Sequence, residues 1–322
     1  MLKHALCYDH YGPPSSVLAL RREPLPPLAA GAVRVKMRYA PINPSDLIPV
    51  TGAYRHRTRL PATAGYEGVG VVVDAPSGAC VVPGQRVLPL RGEGTWQSHL
   101  DIAERWLVPV PDEIDDRLAA RAYINPLTAL LMLRRWPVAG QNIVLTAAGS
   151  SCASLLAQWA LQKGARSVSG VIRSERHIHR LAQQGVYPVL ETDRLMLEQV
   201  SQNADRVFDA VGGGLANAML SVLPEHAALV SYGLLSGQAL SQTRTTPRVY
   251  KFHLREALAD LSTATWQAAF REIWSRLPAT SLPATSLPAV EVIPVSRWQE
   301  AISASAQGGG HAKMLLDFTA ED

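Results

Sequence analysis

Hydrophobic positions along the chain predict two regions of different structure. Early in the chain, short β-type runs are separated by Gly- and Pro-rich turns, namely Val33–Met37, Val69–Val73, Arg86–Pro89 and Trp106–Val110. Short apolar runs between turn residues are typical of β strands. From Asp115 to Arg135 the chain is rich in Ala and Leu with a helical period, and Asp115 or Asp116 is a suitable cap. The first region is therefore expected to be a compact, mostly β domain.

After this helical region, predicted strands and helices alternate. The strands are Asn142–Thr146, Ser167–Ile172, a short one near Val189, Arg206–Ala210 and Ala227–Tyr232. The intervening helices are Ser151–Lys163, Glu175–Gln184 and one near Leu215–Ser221. Alternation at this spacing predicts βαβ units on a parallel sheet, connected by right-handed crossovers.

The last part of the chain contains a Pro-rich repeat and two further strand-like runs. Leu277–Ala289 reads Leu-Pro-Ala-Thr-Ser twice and then Leu-Pro-Ala, a composition that excludes helix and central strand and predicts a surface linker. The runs Val290–Pro294 and Lys313–Phe318 flank a predicted helix, Ser296–Ala306. We expect them to return to the first domain.

Composition and charge exclude several classes of protein. The 322 residues are 47% hydrophobic and 18% charged, as in ordinary globular proteins of about two domains. The net charge of +4 is too small and too scattered for nucleic-acid binding but fits an anionic cofactor or substrate. No signal-peptide core and no run of about 18 apolar residues is present. We expect a cytoplasmic protein that binds neither nucleic acid nor membrane.

The cysteines and histidines argue against a metal site. Cys7, Cys80 and Cys152 lie far apart in the sequence, whereas a structural zinc site needs four closely spaced ligands. None of the nine histidines forms a ligand pair, and His177 and His179, two residues apart, would point to different helix faces. Each histidine is expected to be a surface residue or a hydrogen-bonded buried one, and the protein is expected to hold no zinc.

A turn between a predicted strand and helix is the first candidate binding site. Small residues follow Thr146 and open the helix, and Gly149, Ser150, Ser151 and Cys152 are the candidate contacts. Small side chains let the backbone approach a pyrophosphate, whose charge a helix N-terminus favours. Ser150 and Ala153 stand where glycine is usual, so a purely structural turn remains an alternative.

The end of the next predicted strand indicates which dinucleotide would bind. An NAD-specific site generally has a carboxylate at this strand end, whereas arginine accommodates the 2′-phosphate of NADPH. Arg173 occupies that position, Ser174 can donate a hydrogen bond, and Arg176 lies close by. Glu175 is a mild contrary signal, although we expect it to point along the helix N-terminus. These residues favour NADPH over NADH.

Short segments spread over nearly the whole chain form an ordered set, namely Pro41–Asp46, Gly52–Tyr54, Gly65–Gly70, Gly94–Trp96, Asn125–Ala129, Val207–Gly213, Ser231–Gly233 and Gly310–Lys313. Together they resemble the medium-chain dehydrogenase/reductase superfamily, above all its zinc-free 2-enoyl thioester reductases and quinone oxidoreductases. The resemblance implies an α/β protein with a GroES-like β domain and a Rossmann domain, which is a doubly wound parallel sheet. The GroES-like domain would comprise residues 1–116 completed by 288–322, and the NADPH-binding Rossmann domain 117–287. A homodimer is also implied.

The same resemblance suggests roles for individual residues. Related zinc enzymes carry a cysteine ligand within the segment that here reads Asn43-Pro44-Ser45-Asp46, and a histidine where this chain has Tyr66. In the enoyl thioester reductases a tyrosine, matched here by Tyr54, is thought to donate a proton. A phenol with a pKa of about 10 is a reasonable donor to an enolate. Through its amide, Asn43 would position the tyrosine, the nicotinamide ribose or the substrate carbonyl, and Thr128, Tyr232 and Lys313 would contact the cofactor. Alternatively, Tyr54 is a loop aromatic that packs at the domain interface, and Trp96 is expected to pack rather than react.

The expected activity is NADPH-dependent reduction of a conjugated C=C bond, with a 2-enoyl thioester on CoA or an acyl carrier as the first choice. The basic run Arg55–Arg59 beside Tyr54 would meet the phosphates of such a carrier, or is simply a solvated loop. One alternative is an NADPH:quinone or enone oxidoreductase. Another, from a different class, is a protein that binds NADPH without turnover, since the phosphate loop has lost glycines.

Overall fold

The computed structural model describes residues 1–53, 55–90, 94–241, 246–259, 261–277, 285–306 and 312–320. The chain divides into two compact units. The first comprises Met1–Ile124, Ser262–Pro278 and Pro288–Asp322, and the second comprises Asn125–Leu261 and Ala279–Leu287, wherever these residues are described.

In chain order the strands are β1 (Leu2–Tyr8), β2 (Ala19–Pro24), β3 (Ala32–Pro41), β4 (Ala62–Thr63), β5 (Val69–Asp74), β6 (Arg86–Pro89), β7 (His99–Ala103), β8 (Leu107–Pro109), β9 (Asn142–Leu145), β10 (Ser167–Ile172), β11 (Tyr187–Leu190), β12 (Arg206–Asp209), β13 (Ala228–Ser231), β14 (Arg248–Lys251), β15 (Ala289–Pro294) and β16 (Ala312–Asp317). The helices are α1 (Pro14–Val17), α2 (Pro44–Leu47), α3 (Asp116–Ala119), α4 (Ile124–Arg135), α5 (Ser151–Gln162), α6 (Ile178–Gln183), α7 (Arg194–Gln202), α8 (Gly213–Val222), α9 (Leu254–Ala259), α10 (Thr263–Arg276) and α11 (Trp298–Ala306). In the described parts of the chain, no helix is long and apolar enough to cross a bilayer.

The described residues of the first unit form two sheets. The larger has the order β15-β16-β3-β5-β6-β8, with β7 also paired to β3, and the smaller has the order β2-β1-β4. Strand β16 pairs antiparallel with β3, placing Leu315 opposite Pro41, so the C-terminal run extends the sheet begun near the N-terminus. Fully buried side chains such as Val35, Met37 and Trp96 form the core beneath this sheet.

Helix α10 belongs to the first unit, although the predicted domain 117–287 would have included it. Its aromatic side chains explain this assignment. Trp266 stacks on Trp106 with 6.3 Å between ring centroids, and Phe270 contacts Tyr123 at 6.2 Å. Aromatic pairs at these separations add to the free energy gained by burying the rings.

The helix predicted from Asp115 to Arg135 is divided into α3 and α4. Asp115 caps α3, as its carboxylate accepts hydrogen bonds from the backbone N–H groups of Arg117 and Leu118 at 2.9 and 3.0 Å. The first unit continues to Ile124, eight residues beyond the predicted boundary at 116. The reason is a buried carboxylate from the first unit, Glu67, which accepts from the backbone nitrogens of Tyr123 and Ile124.

The second unit contains a six-stranded parallel sheet among its described residues, with the order β11-β10-β9-β12-β13-β14. Numbered from β9, this order is 3-2-1-4-5-6, that of the doubly wound dinucleotide-binding fold. The predicted parallel sheet is therefore confirmed. Strand β14 and helix α7 were not predicted; α7 is short, and Leu197 and Ser201 are its buried residues.

The Pro-rich repeat is not wholly a surface linker. Residues 278–284 lie outside the described residues, but Thr285 is buried and its Oγ1 accepts a hydrogen bond of 3.2 Å from Trp159 Nε1. The backbone nitrogen of Ser286 donates to Gln158 Oε1 at 2.7 Å. A buried indole N–H needs an acceptor, and the repeat supplies it. For Thr285 the surface prediction is therefore wrong, whereas Ser286 is exposed as predicted.

Candidate functional site

The turn between β9 and α5 has the geometry of an anion site. Ser150 is the N-cap of α5, and its hydroxyl accepts a hydrogen bond of 3.3 Å from the backbone nitrogen of Ala153. The backbone hydrogen bond that begins helix α5 runs from Ser154 N to Ser150 O at 3.0 Å. The N–H groups of Ser151 and Cys152 precede it and lie at the positive end of the helix dipole. Such a helix start can bind a phosphate.

One alanine of this turn has a backbone conformation that is typical of glycine. Ala147 has a φ of 48°, in the left-handed region that favours glycine. Two backbone hydrogen bonds hold it, from Ala148 N to Val171 O at 3.0 Å and from Ser150 N to Ala147 O at 2.8 Å. The surrounding structure thus imposes a strained conformation at the point where a binding turn would be built.

A buried polar group joins the ends of β9 and β12. Thr146 Oγ1 donates to the Asp209 carboxylate at 2.7 Å and accepts from Ala210 N at 2.8 Å. Asp209 also accepts from the backbone nitrogens of Val211 and Gly212. Burial raises the pKa of Asp209, while the hydrogen bonds from Thr146 and the backbone lower it. These bonds fix the strand ends at the switch point of the sheet, where ligands of this fold bind.

The predicted 2′-phosphate residues lie at the carboxyl end of β10. Arg173 and Arg176 have exposed side chains, and Ser174 precedes a 3₁₀ turn formed by Glu175–His177. Exposed guanidinium groups beside a helix N-terminus suit a dinucleotide phosphate in both charge and donor geometry. The residues present therefore fit the cofactor proposed from the sequence. Their roles remain predictions.

The sequence interpretation missed two basic residues beside this turn. Arg180 Nη2 donates to the carbonyl oxygen of Gly149 at 2.9 Å, and its Nη1 donates to Ser154 Oγ at 3.3 Å. The ring of His177 lies so close to Gly149 that a Cβ there would be 2.7 Å from it. The spacing of basic residues from 173 to 180 was the only sequence signal, and it does not show which of them face the turn.

Cys152 and Tyr232 are close together in the second unit. Burial raises the pKa of the Cys152 thiol to about 12, with Tyr232 acting in the opposite direction. Burial also raises the pKa of Tyr232 well above its usual value, and Cys152 and Asp209 add to the effect. With its thiol buried, Cys152 would contribute to a phosphate site through its backbone. Thr128 is buried in α4, and its cofactor contact stays a prediction.

In the first unit, Asn43 and Lys313 are brought together with a third residue, Glu67. Lys313 Nζ donates to Asn43 Oδ1 at 2.5 Å and to the carbonyl oxygen of Ile42 at 2.7 Å. Asn43 Nδ2 donates to Glu67 Oε1 at 2.6 Å. We call Asn43, Asp46, Glu67 and Lys313 the buried polar cluster. The predicted roles of Asn43 toward a substrate and of Lys313 toward a cofactor remain predictions, since both are used here in holding the protein together.

The ionisable groups of the buried polar cluster have shifted pKa values. Asp46 Oδ2 accepts from Asn43 N at 2.7 Å, whereas Asp46 Oδ1 has no hydrogen-bond partner among the described residues. Burial raises the pKa of Asp46 to about 7, and the charge of Glu67 also raises it. Burial raises the pKa of Glu67 and lowers that of Lys313. The cluster can therefore hold an extra proton near neutral pH.

The remaining predicted residues of the first unit are placed as follows. Tyr54, the predicted proton donor, lies outside the described residues, as does the segment 307–311. Trp96 is fully buried and its Nε1 donates to the carbonyl oxygen of Pro41 at 3.2 Å, so it packs as expected. The described residues contain no group of three or more His, Cys, Asp or Glu that could hold a metal ion.

Most of the chain is similar in sequence to known proteins. Residues 29–112 match the alcohol dehydrogenase GroES-like domain, which confirms the predicted β domain over that range. The chain is 31% identical over 248 residues to the mitochondrial enoyl-[acyl-carrier-protein] reductase of Homo sapiens, covering 73% of this chain and 66% of the human protein. It is 33% identical over 250 residues to the same enzyme of Xenopus tropicalis, covering 73% and 71%. The chain thus spans about two thirds of the length of these relatives.

Solved structures agree over a longer range. A Bacillus thuringiensis protein assigned as an NADPH:quinone reductase is 32% identical, with a TM-score of 0.88 and coverage of 98% of this chain and 99% of that one. A complex of Etr1p with NADP and crotonyl-CoA superposes with a TM-score of 0.81 at 20% identity, covering 98% and 100%. At that identity the second likeness shows the fold alone.

Proposed function

Because the chain belongs to the medium-chain dehydrogenase/reductase superfamily, in its branch of enoyl thioester and quinone reductases, we propose that it reduces a conjugated carbon–carbon double bond with NADPH. The proposed substrate is a 2-enoyl thioester. The observation that carries this proposal is the anion site at the start of α5 beside Arg173, in a chain one third identical to enoyl reductases.

Particular residues would hold the cofactor. The backbone N–H groups of Ser151 and Cys152 suit the diphosphate, and Arg173 and Arg176 suit the 2′-phosphate. When bound, NADPH supplies a hydride. Its adenosine phosphate is what the exposed arginines would recognise, since an NAD site would place a carboxylate there instead.

We further propose that the enzyme works without zinc. By resemblance, zinc enzymes carry a cysteine ligand within the segment matched by Asn43–Asp46, and a histidine ligand where this chain has Tyr66. The Asn43 amide is bonded to Lys313 on one side and Glu67 on the other. An ammonium group 2.5 Å from Asn43 Oδ1 would repel a divalent cation at that position.

The chemistry makes two demands on the protein. Reduction at the β-carbon of an unsaturated thioester leaves enolate charge, which must be stabilised and then protonated at the α-carbon. From its place in the sequence, Tyr54 is the proposed proton donor. We further propose that the enzyme is a homodimer, that its thioester substrate is borne by CoA or an acyl carrier, and that it works in the cytoplasm.

Reduction of a quinone or free enone is the second candidate. It is favoured by the Bacillus thuringiensis structure, which combines 32% identity with nearly full coverage of both chains. A quinone accepts a hydride without needing a proton at a carbon atom. The tyrosine would therefore contribute less to quinone reduction than to enoyl reduction.

The test is a binding titration followed by a turnover panel. NADPH fluorescence is titrated with protein, and NADPH oxidation is then measured with crotonyl-CoA, a small enone and a benzoquinone. We expect binding, and the highest kcat/KM with crotonyl-CoA. A higher value with the quinone would favour the second candidate. Binding with no turnover would indicate a non-catalytic NADPH-binding protein, and absence of binding would contradict the proposed cofactor.

A further inference from the structure

The one glycine between β9 and α5 makes room for a histidine ring. The φ of Gly149 does not lie in the left-handed region, so its backbone is open to any residue type. A Cβ at this position would nevertheless lie 2.7 Å from both Cδ2 and Nε2 of His177, closer than carbon and nitrogen atoms approach. Glycine at position 149 therefore leaves room for the His177 ring, which a larger residue would displace.

His177 also contacts a residue of the proposed 2′-phosphate site. It ends the 3₁₀ turn Glu175–His177, and Arg176 Nε lies 3.4 Å from His177 Nε2. The imidazole is half-buried, whereas the Arg176 side chain is exposed. The ring thus lies between the phosphate-binding turn and the guanidinium of Arg176.

Arg180, three residues further on, attaches the same segment to the same turn. Its guanidinium donates to the carbonyl oxygen of Gly149 and to Ser154 Oγ, at 2.9 and 3.3 Å. With His177 against Gly149, the segment from Arg173 to Arg180 is held to the turn at two points. A side chain held in place before binding loses less entropy when it meets its ligand.

We propose that His177 is a specificity-determining residue of this dinucleotide site. Its imidazole, set against Gly149, positions Arg176 for the 2′-phosphate that distinguishes NADPH from NADH. The inference rests on the proposed function, because it requires the turn between β9 and α5 to bind the dinucleotide. It assigns a role to a histidine that no sequence motif selects.

The test is a double-mutant cycle on binding alone. Dissociation constants for NADPH and for NADH are measured by fluorescence titration for wild type, His177→Ala, Gly149→Ala and the double variant. His177→Ala should weaken NADPH binding about fivefold and leave NADH binding nearly unchanged. Gly149→Ala should do the same by displacing the ring. The double variant should be no weaker than either single one, because both changes remove the same contact.

Control measurements separate the outcomes. His179→Ala, at an exposed histidine two residues away, should alter neither dissociation constant, and far-UV circular dichroism should show that each variant is folded. Wild-type selectivity retained in His177→Ala would overturn this inference alone. The inference would also be overturned if Gly149→Ala weakened NADPH binding further in the His177→Ala background. That result would show that phosphate approach needs the glycine itself. Failure of the wild type to bind either nucleotide would overturn the proposed function as well.

Discussion

Lys313 Nζ lies 2.5 Å from Asn43 Oδ1, although the two residues are 270 positions apart in the chain. The hydrogen bonds continue from the Asn43 amide, because its Nδ2 donates to Glu67, and Glu67 accepts from the backbone nitrogens of Tyr123 and Ile124. A buried amide bonded on both sides has only one favourable orientation. The direction of every donor in this chain of bonds is therefore fixed.

Because Glu67 is the acceptor in its hydrogen bonds with Asn43 and with the backbone, Glu67→Gln should strongly destabilise the folded protein. A glutamine NH₂ must face either Asn43 Nδ2 or the N–H groups of Tyr123 and Ile124, and all of these are donors. We expect a loss of about 1–3 kcal/mol in unfolding free energy, the cost of leaving a buried donor unpaired. Urea unfolding monitored by tryptophan fluorescence measures it.

Reversing the bond should restore stability. In Asn43→Asp combined with Glu67→Gln, the glutamine NH₂ donates to the new carboxylate. That carboxylate still accepts from Lys313, and the glutamine oxygen still accepts from the backbone. We expect the double variant to recover more than half of the loss. Additive destabilisation by the two changes would contradict the assigned donor directions.

Asp46 should make stability depend on pH. Its ordinary pKa is 3.8 and burial raises it to about 7 in the folded protein. Between these values the unfolded chain has lost a proton that the folded protein keeps, so stability falls as pH rises from 4 to 7. Asp46→Asn removes this dependence. Relative to wild type, the variant should gain about 2–3 kcal/mol in unfolding free energy between pH 5 and pH 7.5. Parallel pH profiles of the two proteins would show that Asp46 ionises normally.

Ala147→Gly should stabilise the protein. Releasing a left-handed alanine gains about 1–2 kcal/mol, and the added freedom of glycine in the unfolded chain costs about 0.5–1 kcal/mol. A net gain of about 0.5–1 kcal/mol is expected from chemical unfolding. Ala148→Gly is the matched control, because Ala148 is buried and its φ is not positive, so it should lose stability. Equal effects at both positions would argue against strain at Ala147.

Tyr54→Phe tests the proton donor proposed from the sequence. We expect kcat with a 2-enoyl-CoA to fall at least about tenfold, since general acid catalysis typically contributes that much or more. Binding of NADPH and turnover of a quinone should change little. An unchanged kcat with the enoyl-CoA would remove Tyr54 from the mechanism and leave the fold assignment intact.

Arg173→Ala tests the choice of NADPH. Loss of a charge-assisted contact should weaken NADPH binding about tenfold and leave NADH binding almost untouched. Arg166 is the matched control, because it is an exposed arginine at the opposite end of β10. Isothermal titration calorimetry with both nucleotides gives the comparison. A loss of equal size for NADPH and NADH would assign Arg173 to another part of the cofactor.

The parallel sheet was predictable except for β14, because the spacing of its other strands and of the helices between them indicates βαβ units. Helix α10 was not predicted to join the first unit, since nothing local to Trp266 indicates that it stacks on Trp106, 160 positions earlier in the chain. The break between α3 and α4 has the same origin, because it depends on Glu67 rather than on residues near 120. Local pattern predicts elements, while partners distant in sequence decide where they end and pack.

The candidate site shows the same division. Gly149, Ser150 and Arg173 were selected from the sequence because strand ends and helix starts carry their own signals. The importance of Glu67 was missed although it lies within a segment that resembles the family, because its partners are far away in the chain. His177 was expected to be a surface or hydrogen-bonded residue, and only the space left by Gly149 shows its place beside the turn between β9 and α5.

The pairing of β16 with β3 has a consequence for how the protein is made on the ribosome. Residues 125–287, which include the whole second unit, emerge before β16 does. Until then, the edge of β3 that will receive β16 displays unpaired backbone groups, and such an edge can recruit other chains. Domains that complete early during synthesis can fold first. This edge therefore stays open to other chains until the last strand has emerged.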